Sequence, residues 1–142
     1  MPRLSRAETL TGSTKKAEYF SDFLTSFAKT PVGDQLARVT NDRSIQQSIK
    51  NLVLTNLGER LFQPYIGSNV VYSLFENNSF ENLNTLSFYV ETTIRNNERR
   101  VNLIDVSVSQ GNSEHEIVAT IVYNTINNPE PTTFDFIFKR VR

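Results

Sequence analysis

The sequence has no cysteine, no tryptophan, a single histidine and no formal net charge over its 142 residues. Without cysteine there can be no disulfide and no thiolate metal site. The balance of 15 basic and 15 acidic residues argues against the broad basic face of a non-specific nucleic-acid binder. No apolar run approaches the ~20 residues of a membrane-spanning helix, and the N-terminus lacks the apolar segment of a secretory signal. We therefore expect neither nucleic acid nor membrane as a partner.

Side chains suited to catalysis are also scarce. His115 falls in "SEHE", a predicted turn, which is a poor position for the base of a nucleophilic triad. On a strand, Glu114 and Glu116 would face away from His115, so we expect no metal site. No glycine-rich phosphate loop is present. A glycosidase needs two carboxyl groups about 5–10 Å apart. The acids that could in principle form such a pair are Glu59, Glu76, Glu98 and Asp105, but any soluble domain offers similar pairs, so we expect no enzyme and no cofactor.

The apolar residues are spaced as in helices up to residue 100. Spacings of three and four residues predict one helix within 40–56, a short helix over 68–77 with Leu74 and Phe75 facing inward, and a third helix over 79–99. Ser79 or Asn82 is suited to cap the third helix. The predicted buried stripes are Ile45, Ile49, Leu52 and Val53 in the first helix and Leu83, Leu86, Val90 and Ile94 in the third.

After Arg100 the apolar residues alternate, which predicts three strands: "VNLIDVSVSQ", "EIVATIVYNTI" and "TTFDFIFKRV". The inward faces would carry Ile104, Val106 and Val108 in the first strand and Phe134, Phe136 and Phe138 in the third. Helices followed by strands indicate an α+β fold. We predict a single domain in which N-terminal helices pack on a three-stranded antiparallel C-terminal β-sheet.

The first forty residues are predicted to form a separate arm, with the α+β domain over 41–142. Residues 1–17 are polar and locally basic, which favours a mobile segment. The aromatic spacing of Tyr19, Phe20, Phe23 and Phe27 predicts a short helix. That helix could pack on its own domain or dock on a neighbouring subunit.

Two charged pairs follow the ends of helices. One is Glu59 with Arg60, and the other is Glu98 with Arg100, next to Arg99, in "RNNERR". A surface ion pair contributes only about 0–1 kcal/mol, so neither pair is needed to fold the domain. They are either solvated helix ends or an interface at which arginine side chains meet the carboxylates of a partner.

Two motifs resemble those of the baseplate wedge and sheath-initiator family of contractile-tailed phages, including T-even-type myoviruses. They are "IKNLVLTNLGERLFQPYIGSNVVYSLFEN" and "IRNNERRVNLIDVSV", and the resemblance covers about residues 42–142. A related baseplate component of type VI secretion systems carries a Glu-Pro-Arg signature. Glu98 and Arg100 match that signature here, whereas Arg99 stands where the family has proline.

The resemblance implies a structural protein of the tail baseplate, in about six copies. Its expected partners are other wedge proteins, the tail tube and hub proteins, and the tail sheath subunits. The residues implied in docking on the wedge core are Glu59, Arg60, Phe62, Pro64, Glu98, Arg99 and Arg100. Leu61 and Phe62 would anchor the loop on the helices, and Glu59 and Arg60 would join Glu98 and Arg100 in one cluster.

The last strand is implied in binding the sheath by backbone pairing. The residues assigned to this role are Phe134, Phe136, Phe138, Lys139 and Arg140. The alternative is that this is an ordinary last strand. A lysozyme-like, cell-wall-degrading activity that has been ascribed to the family is the alternative function.

Overall fold

The computed structural model describes residues 19–31, 33–76, 79–113 and 115–139. The predicted mobile arm over 1–17, and the predicted contacts of Glu114 and Arg140, lie outside the described residues. The chain forms three helices and five strands in those residues. They are β1 (Ser21–Phe23), β2 (Arg38–Thr40), α1 (Asp42–Leu54), α2 (Val70–Ser73), α3 (Phe80–Asn97), β3 (Val101–Gln110), β4 (Glu116–Thr125) and β5 (Asn128–Lys139).

The helices form where the apolar spacing predicts them. The predicted stripe of α1 is buried, and in α3 Leu86, Val90 and Ile94 are fully buried. Ser79 caps α3, since its side chain accepts a hydrogen bond from the backbone N–H of Asn82. These stripes form one side of the hydrophobic core.

The C-terminal strands form an antiparallel sheet in the order β3-β4-β5. The central strand β4 buries alternate residues, and β5 buries Phe136 and Phe138 in the same core. Phe134 is partly buried and packs against this core. The α+β prediction is confirmed, and the phenylalanine row of β5 faces the helices as expected.

One predicted inward residue of the first sheet strand is wrong. Ile104 is exposed, whereas Leu103, Val106 and Val108 pack against the core. The pairing of β3 with β4 shifts between Leu103 and Asp105. A β-bulge adds one residue at this point and so reverses the alternation of faces on one side of it.

The predicted aromatic helix over 19–27 is also wrong, because β1 lies there and pairs with β2. The side chain of Asn41 accepts hydrogen bonds from the backbone N–H groups of Tyr19 and Phe20, at 3.0 and 3.4 Å. Phe20 packs against the core, so this hairpin packs on its own domain, while Phe23 and Phe27 stay exposed. Long-range pairing has overridden the local aromatic spacing.

Candidate functional site

The loop between α1 and α2 is closed at its base by backbone hydrogen bonds. The N–H of Ser68 donates to the carbonyl of Thr55 at 2.8 Å, and the N–H of Gly58 donates to the carbonyl of Pro64 at 2.9 Å. Gly67 has a φ of +140°, and a Cβ added there would lie 2.6 Å from the Thr55 carbonyl oxygen. This close approach of two backbone segments requires glycine.

The tip of this loop presents apolar side chains to solvent. Leu61 is 85% exposed, Phe62 is 100% exposed and Tyr65 is 89% exposed. The expectation that Leu61 and Phe62 anchor the loop on the helices is therefore wrong. Phe62 also has a φ of +69°, a backbone conformation that costs roughly 1–2 kcal/mol for a residue other than glycine. A fully exposed aromatic in a strained backbone has no role in the stability of this fold.

Glu98 and Arg100 form a partly buried ion pair rather than a solvated helix end. The Nε of Arg100 donates to Glu98 Oε1 at 2.7 Å, and its Nη2 donates to Oε2 at 2.7 Å. The hydroxyl of Ser48 on α1 donates to Oε2 at 2.8 Å. Burial alone would raise the pKa of Glu98, but the hydrogen bonds from Arg100 and Ser48 outweigh it and lower this pKa below its ordinary value.

The two charged pairs do not merge into one cluster. Glu59 instead accepts a hydrogen bond from the backbone N–H of Asn56 at 2.9 Å, just beyond the end of α1. Glu98 instead accepts a hydrogen bond from Ser48. Ser48 lies six residues before the end of α1, which is about 9 Å along the helix axis at 1.5 Å per residue. In the described part of the chain no hydrogen bond or ion pair connects the two pairs. Arg60, Pro64 and Arg99 are all exposed.

The two outer strands of the sheet differ in what covers their edges. The N–H of Gly111 donates to the carbonyl of Glu116, so the backbone groups of Glu116 point towards β3. In an antiparallel sheet, the backbone N–H and C=O groups of successive residues point to opposite sides of the strand. The residues of β4 whose backbone groups point towards β5 are therefore Ile117, Ala119, Ile121 and Tyr123. Their partners on β5 are Phe138, Phe136, Phe134 and Thr132. The groups that point away from β4 are therefore those of Thr133, Asp135, Ile137 and Lys139.

The edge of β3 is partly covered and the edge of β5 is open. On β3 the same alternation directs the Val106 carbonyl outwards, where the Ser87 hydroxyl of α3 donates to it at 2.8 Å. Across the described residues, nothing hydrogen-bonds the four outward N–H and C=O pairs of β5. An uncovered edge is a site at which another strand can add.

No group of three potential metal-binding side chains lies together in the described ranges. Within those ranges, none of the helices is both long enough and apolar enough to cross a bilayer.

Comparison with known proteins identifies the family. The model of the family "Baseplate wedge protein gp25" matches residues 39–130. The chain belongs to this family. It is 30% identical over 88 residues to the baseplate wedge protein gp25 of Enterobacteria phage T4. These aligned residues cover 62% of this chain and 67% of that protein. This wedge protein is thus a structural component of the tail baseplate of a virion and assembles with other baseplate components.

Two solved structures share the fold of this wedge protein. A Geobacter sulfurreducens protein named as a candidate tail lysozyme matches with a TM-score of 0.64 at 20% identity, over 71% of this chain and 92% of that one. A chain of the sixfold-symmetrised baseplate of the anti-feeding prophage matches with a TM-score of 0.59 at 18% identity, over 84% and 85% of the two chains.

Sequence reasoning did not find several features of these surfaces. Tyr65 lies within the loop motif, but no pattern in the amino-acid sequence indicates that its side chain is exposed. Ser48 and Phe20 contact the Glu98–Arg100 pair from 50 and 80 positions away. Separations of this length leave no local spacing that could have pointed to the contacts.

Proposed function

We propose that this wedge protein is a non-enzymatic joint with two contact surfaces. The loop tip of Leu61, Phe62 and Tyr65, with Glu59, Arg60, Pro64 and the region of Glu98 to Arg100, docks on the core of the wedge. The outer edge of β5 initiates sheath polymerisation by pairing with strands of sheath subunits. Six copies per baseplate, around the tail tube and hub, agree with the sixfold symmetry of the related prophage baseplate.

The observation that carries the sheath proposal is the open edge of β5. Four residues there, Thr133, Asp135, Ile137 and Lys139, offer backbone groups to a partner, and β5 is fixed in place by the burial of Phe136 and Phe138. The side chains and the backbone of β5 therefore have different roles. The phenylalanines hold the strand in the core, and only its backbone edge is free to pair.

The exposed loop tip supports the docking proposal. Three large apolar side chains together are rarely left in solvent unless a partner covers them. The hydrogen-bonded base of the loop presents them in one conformation, which reduces the entropy lost on binding. Arg100 adds a guanidinium that is still about one third exposed beside Glu98.

A proline at position 137 tests the strand pairing without removing a core residue. Ile137 is exposed and its N–H points away from β4, so Ile137→Pro removes an edge donor and keeps the ladder to β4. Ile137→Ala keeps the N–H and is the matched control. We expect baseplates with the proline variant to assemble but to carry no sheath in electron micrographs. Normal sheaths on those baseplates would refute the proposal.

The name of the Geobacter sulfurreducens protein gives the lysozyme-like alternative one supporting observation. The geometry of Glu98 does not favour it, because a general acid needs a raised pKa and that of Glu98 is lowered. Glu59 is exposed and bonded to a backbone N–H. A zymogram of the purified protein beside Glu59→Gln and Glu98→Gln variants tests this alternative. Clearing that depends on either carboxylate would establish it in place of the non-enzymatic role.

A further inference from the structure

An apolar groove of about 440 Å³ runs beside the open edge of β5. Leu54 at the end of α1 and Val71, Leu74 and Phe75 in and after α2 form one wall, and β5 from 136 to 139 forms the other. Phe75 is 70% exposed, although the sequence pattern predicts that it faces inward. The volume is in the range of ~300–1,000 Å³ that is typical of binding sites, so several side chains fit.

The groove carries an unpaired positive charge. Lys50 is an exposed residue of the groove lining, and its ammonium lies 5.7 Å from the centroid of the Phe136 ring. Within the described ranges no carboxylate lies at ion-pair distance from Lys50, whereas Lys139 at the groove end pairs with Glu116 at 3.2 Å. An apolar channel with one free cation favours a ligand that combines apolar side chains with a carboxylate.

We propose that the groove selects the strand that adds to β5, and this inference rests on the strand addition proposed above. The selected segment is an extended part of a partner protein. It carries apolar side chains at the two positions opposite Phe136 and Phe138, and an acidic side chain near Lys50.

The register of β5 determines which side chains of the added strand enter the groove. Side chains at directly opposite positions of paired strands lie on the same face of the sheet. Phe136 and Phe138 point to the helix side, so the residues opposite them point there too. These two residues are separated by one position, and the residue between them faces the outer surface of the sheet.

Two other occupants fit less well. The N-terminal residues 1–18 of this chain carry four basic residues (Arg3, Arg6, Lys15 and Lys16) against two acidic ones (Glu8 and Glu18), so their net positive charge does not complement Lys50. In a second copy paired through its own β5, Phe136 and Phe138 are already buried beneath its helices and cannot enter the groove.

Peptide binding to the full-length protein tests the selection. The probes are two synthetic nine-residue peptides, each with leucine at two alternate positions in a threonine background. One has glutamate and the other lysine at the next alternate position, and both are titrated by fluorescence anisotropy and NMR. We expect the glutamate peptide to bind about fivefold more tightly, as one favourable partly exposed charge contact allows.

Variants of the protein test whether the groove contributes to peptide binding in addition to the edge of β5. We expect Lys50→Glu to reverse the preference between the two peptides. We expect Phe75→Ala to weaken binding of both by about tenfold, since it removes the largest side chain of one wall. Arg95→Glu on α3 is the charge-matched control and should keep the wild-type preference. Equal affinities of the two peptides, no binding of either, or an unchanged preference in Lys50→Glu would overturn the inference.

The Ile137→Pro variant distinguishes a failure of the groove inference from a failure of the proposed strand addition. If Ile137→Pro abolishes peptide binding while Lys50→Glu and Phe75→Ala bind as the wild type, strand addition stands and selection by the groove is wrong. If Ile137→Pro binds both peptides normally, strand addition itself is wrong, and the groove inference falls with it. If neither peptide binds, the sheath assay still decides on strand addition.

Discussion

The guanidinium carbon of Arg100 lies 5.5 Å from the centroid of the Phe20 ring. The same guanidinium donates two hydrogen bonds to Glu98. One side chain thus connects the N-terminal hairpin, the end of α3 and, through Glu98 and Ser48, the middle of α1. The pair implied in partner binding therefore also holds three parts of the fold together.

Removing Arg100 should destabilise the protein as well as weaken its incorporation into the wedge. Arg100→Ala leaves a buried carboxylate without its cation and removes the contact with Phe20. We expect a loss of about 2 kcal/mol in the free energy of unfolding, less than the ~3–5 kcal/mol of a fully buried pair because Arg100 is partly exposed. Urea denaturation measures this loss. Arg99→Ala, at the exposed neighbouring position, is the control, and an equal loss in both variants would contradict the structural role.

Stability should fall in acid partly because of Glu98. Its pKa in the folded protein is below the unfolded value of about 4.3, so its contribution is complete at neutral pH and is lost as the pH falls through the lowered folded value. We expect Glu98→Gln to be less stable at pH 7 and to lose less stability between about pH 5 and pH 2. Urea midpoints across this range test the effect. Asp105→Asn, which changes an exposed acid on β3, is the control. Parallel pH curves for Glu98→Gln and the wild type would show that Glu98 is not a source of the loss of stability in acid.

Two glycines of the loop should differ in their tolerance of alanine. At Gly67 a Cβ would collide with the Thr55 carbonyl, whereas at Gly58, with a φ of +82°, nothing lies within 4 Å. We expect Gly67→Ala to cost about 3 kcal/mol, from the backbone conformation and the collision together, and Gly58→Ala about 1 kcal/mol, from the conformation alone. Urea denaturation measures both. Similar costs would mean that the loop base is not closed as described.

Phe62 should matter for assembly and not for folding. Phe62→Gly removes a fully exposed side chain and relieves the positive φ, while glycine increases the entropy of the unfolded chain. These effects nearly cancel, so we expect a melting temperature close to that of the wild type. Incorporation into wedges, measured by co-purification with the other wedge proteins, should fall at least tenfold. Arg43→Ala, an exposed change on α1 outside the loop, is the control. Full incorporation of Phe62→Gly would remove the loop tip from the docking surface.

The elements that the sequence predicts correctly are those with local signals. The stripe of Ile45 and Ile49 and the cap at Ser79 locate α1 and α3, and the alternation of Phe134, Phe136 and Phe138 sets the inner face of β5. The α+β arrangement follows because each apolar face must be buried against another. The division of the chain at residue 40 stays a prediction.

The parts that could not be predicted depend on contacts between distant residues. β1 forms because of its pairing with β2, and Ile104 is exposed because of a bulge set by β4. Glu98 is buried because Ser48 and Arg100 form hydrogen bonds with it, whereas the sequence predicts either a solvated helix end or an interface with a partner. The exposure of Phe62 could not be foreseen for the opposite reason, since an aromatic residue is usually buried and only the loop geometry prevents it.

The unequal edges of the sheet would give the proposed strand addition a direction. α3 covers part of the β3 edge through Ser87, so in the proposed strand addition the sheet would grow outwards from β5. A strand accepted there brings its own unsatisfied outer margin, which can recruit the next strand in turn. Under that proposal a three-stranded sheet with one partly covered flank is a unidirectional seed, and its orientation in the particle would set the direction in which the structure built on it extends.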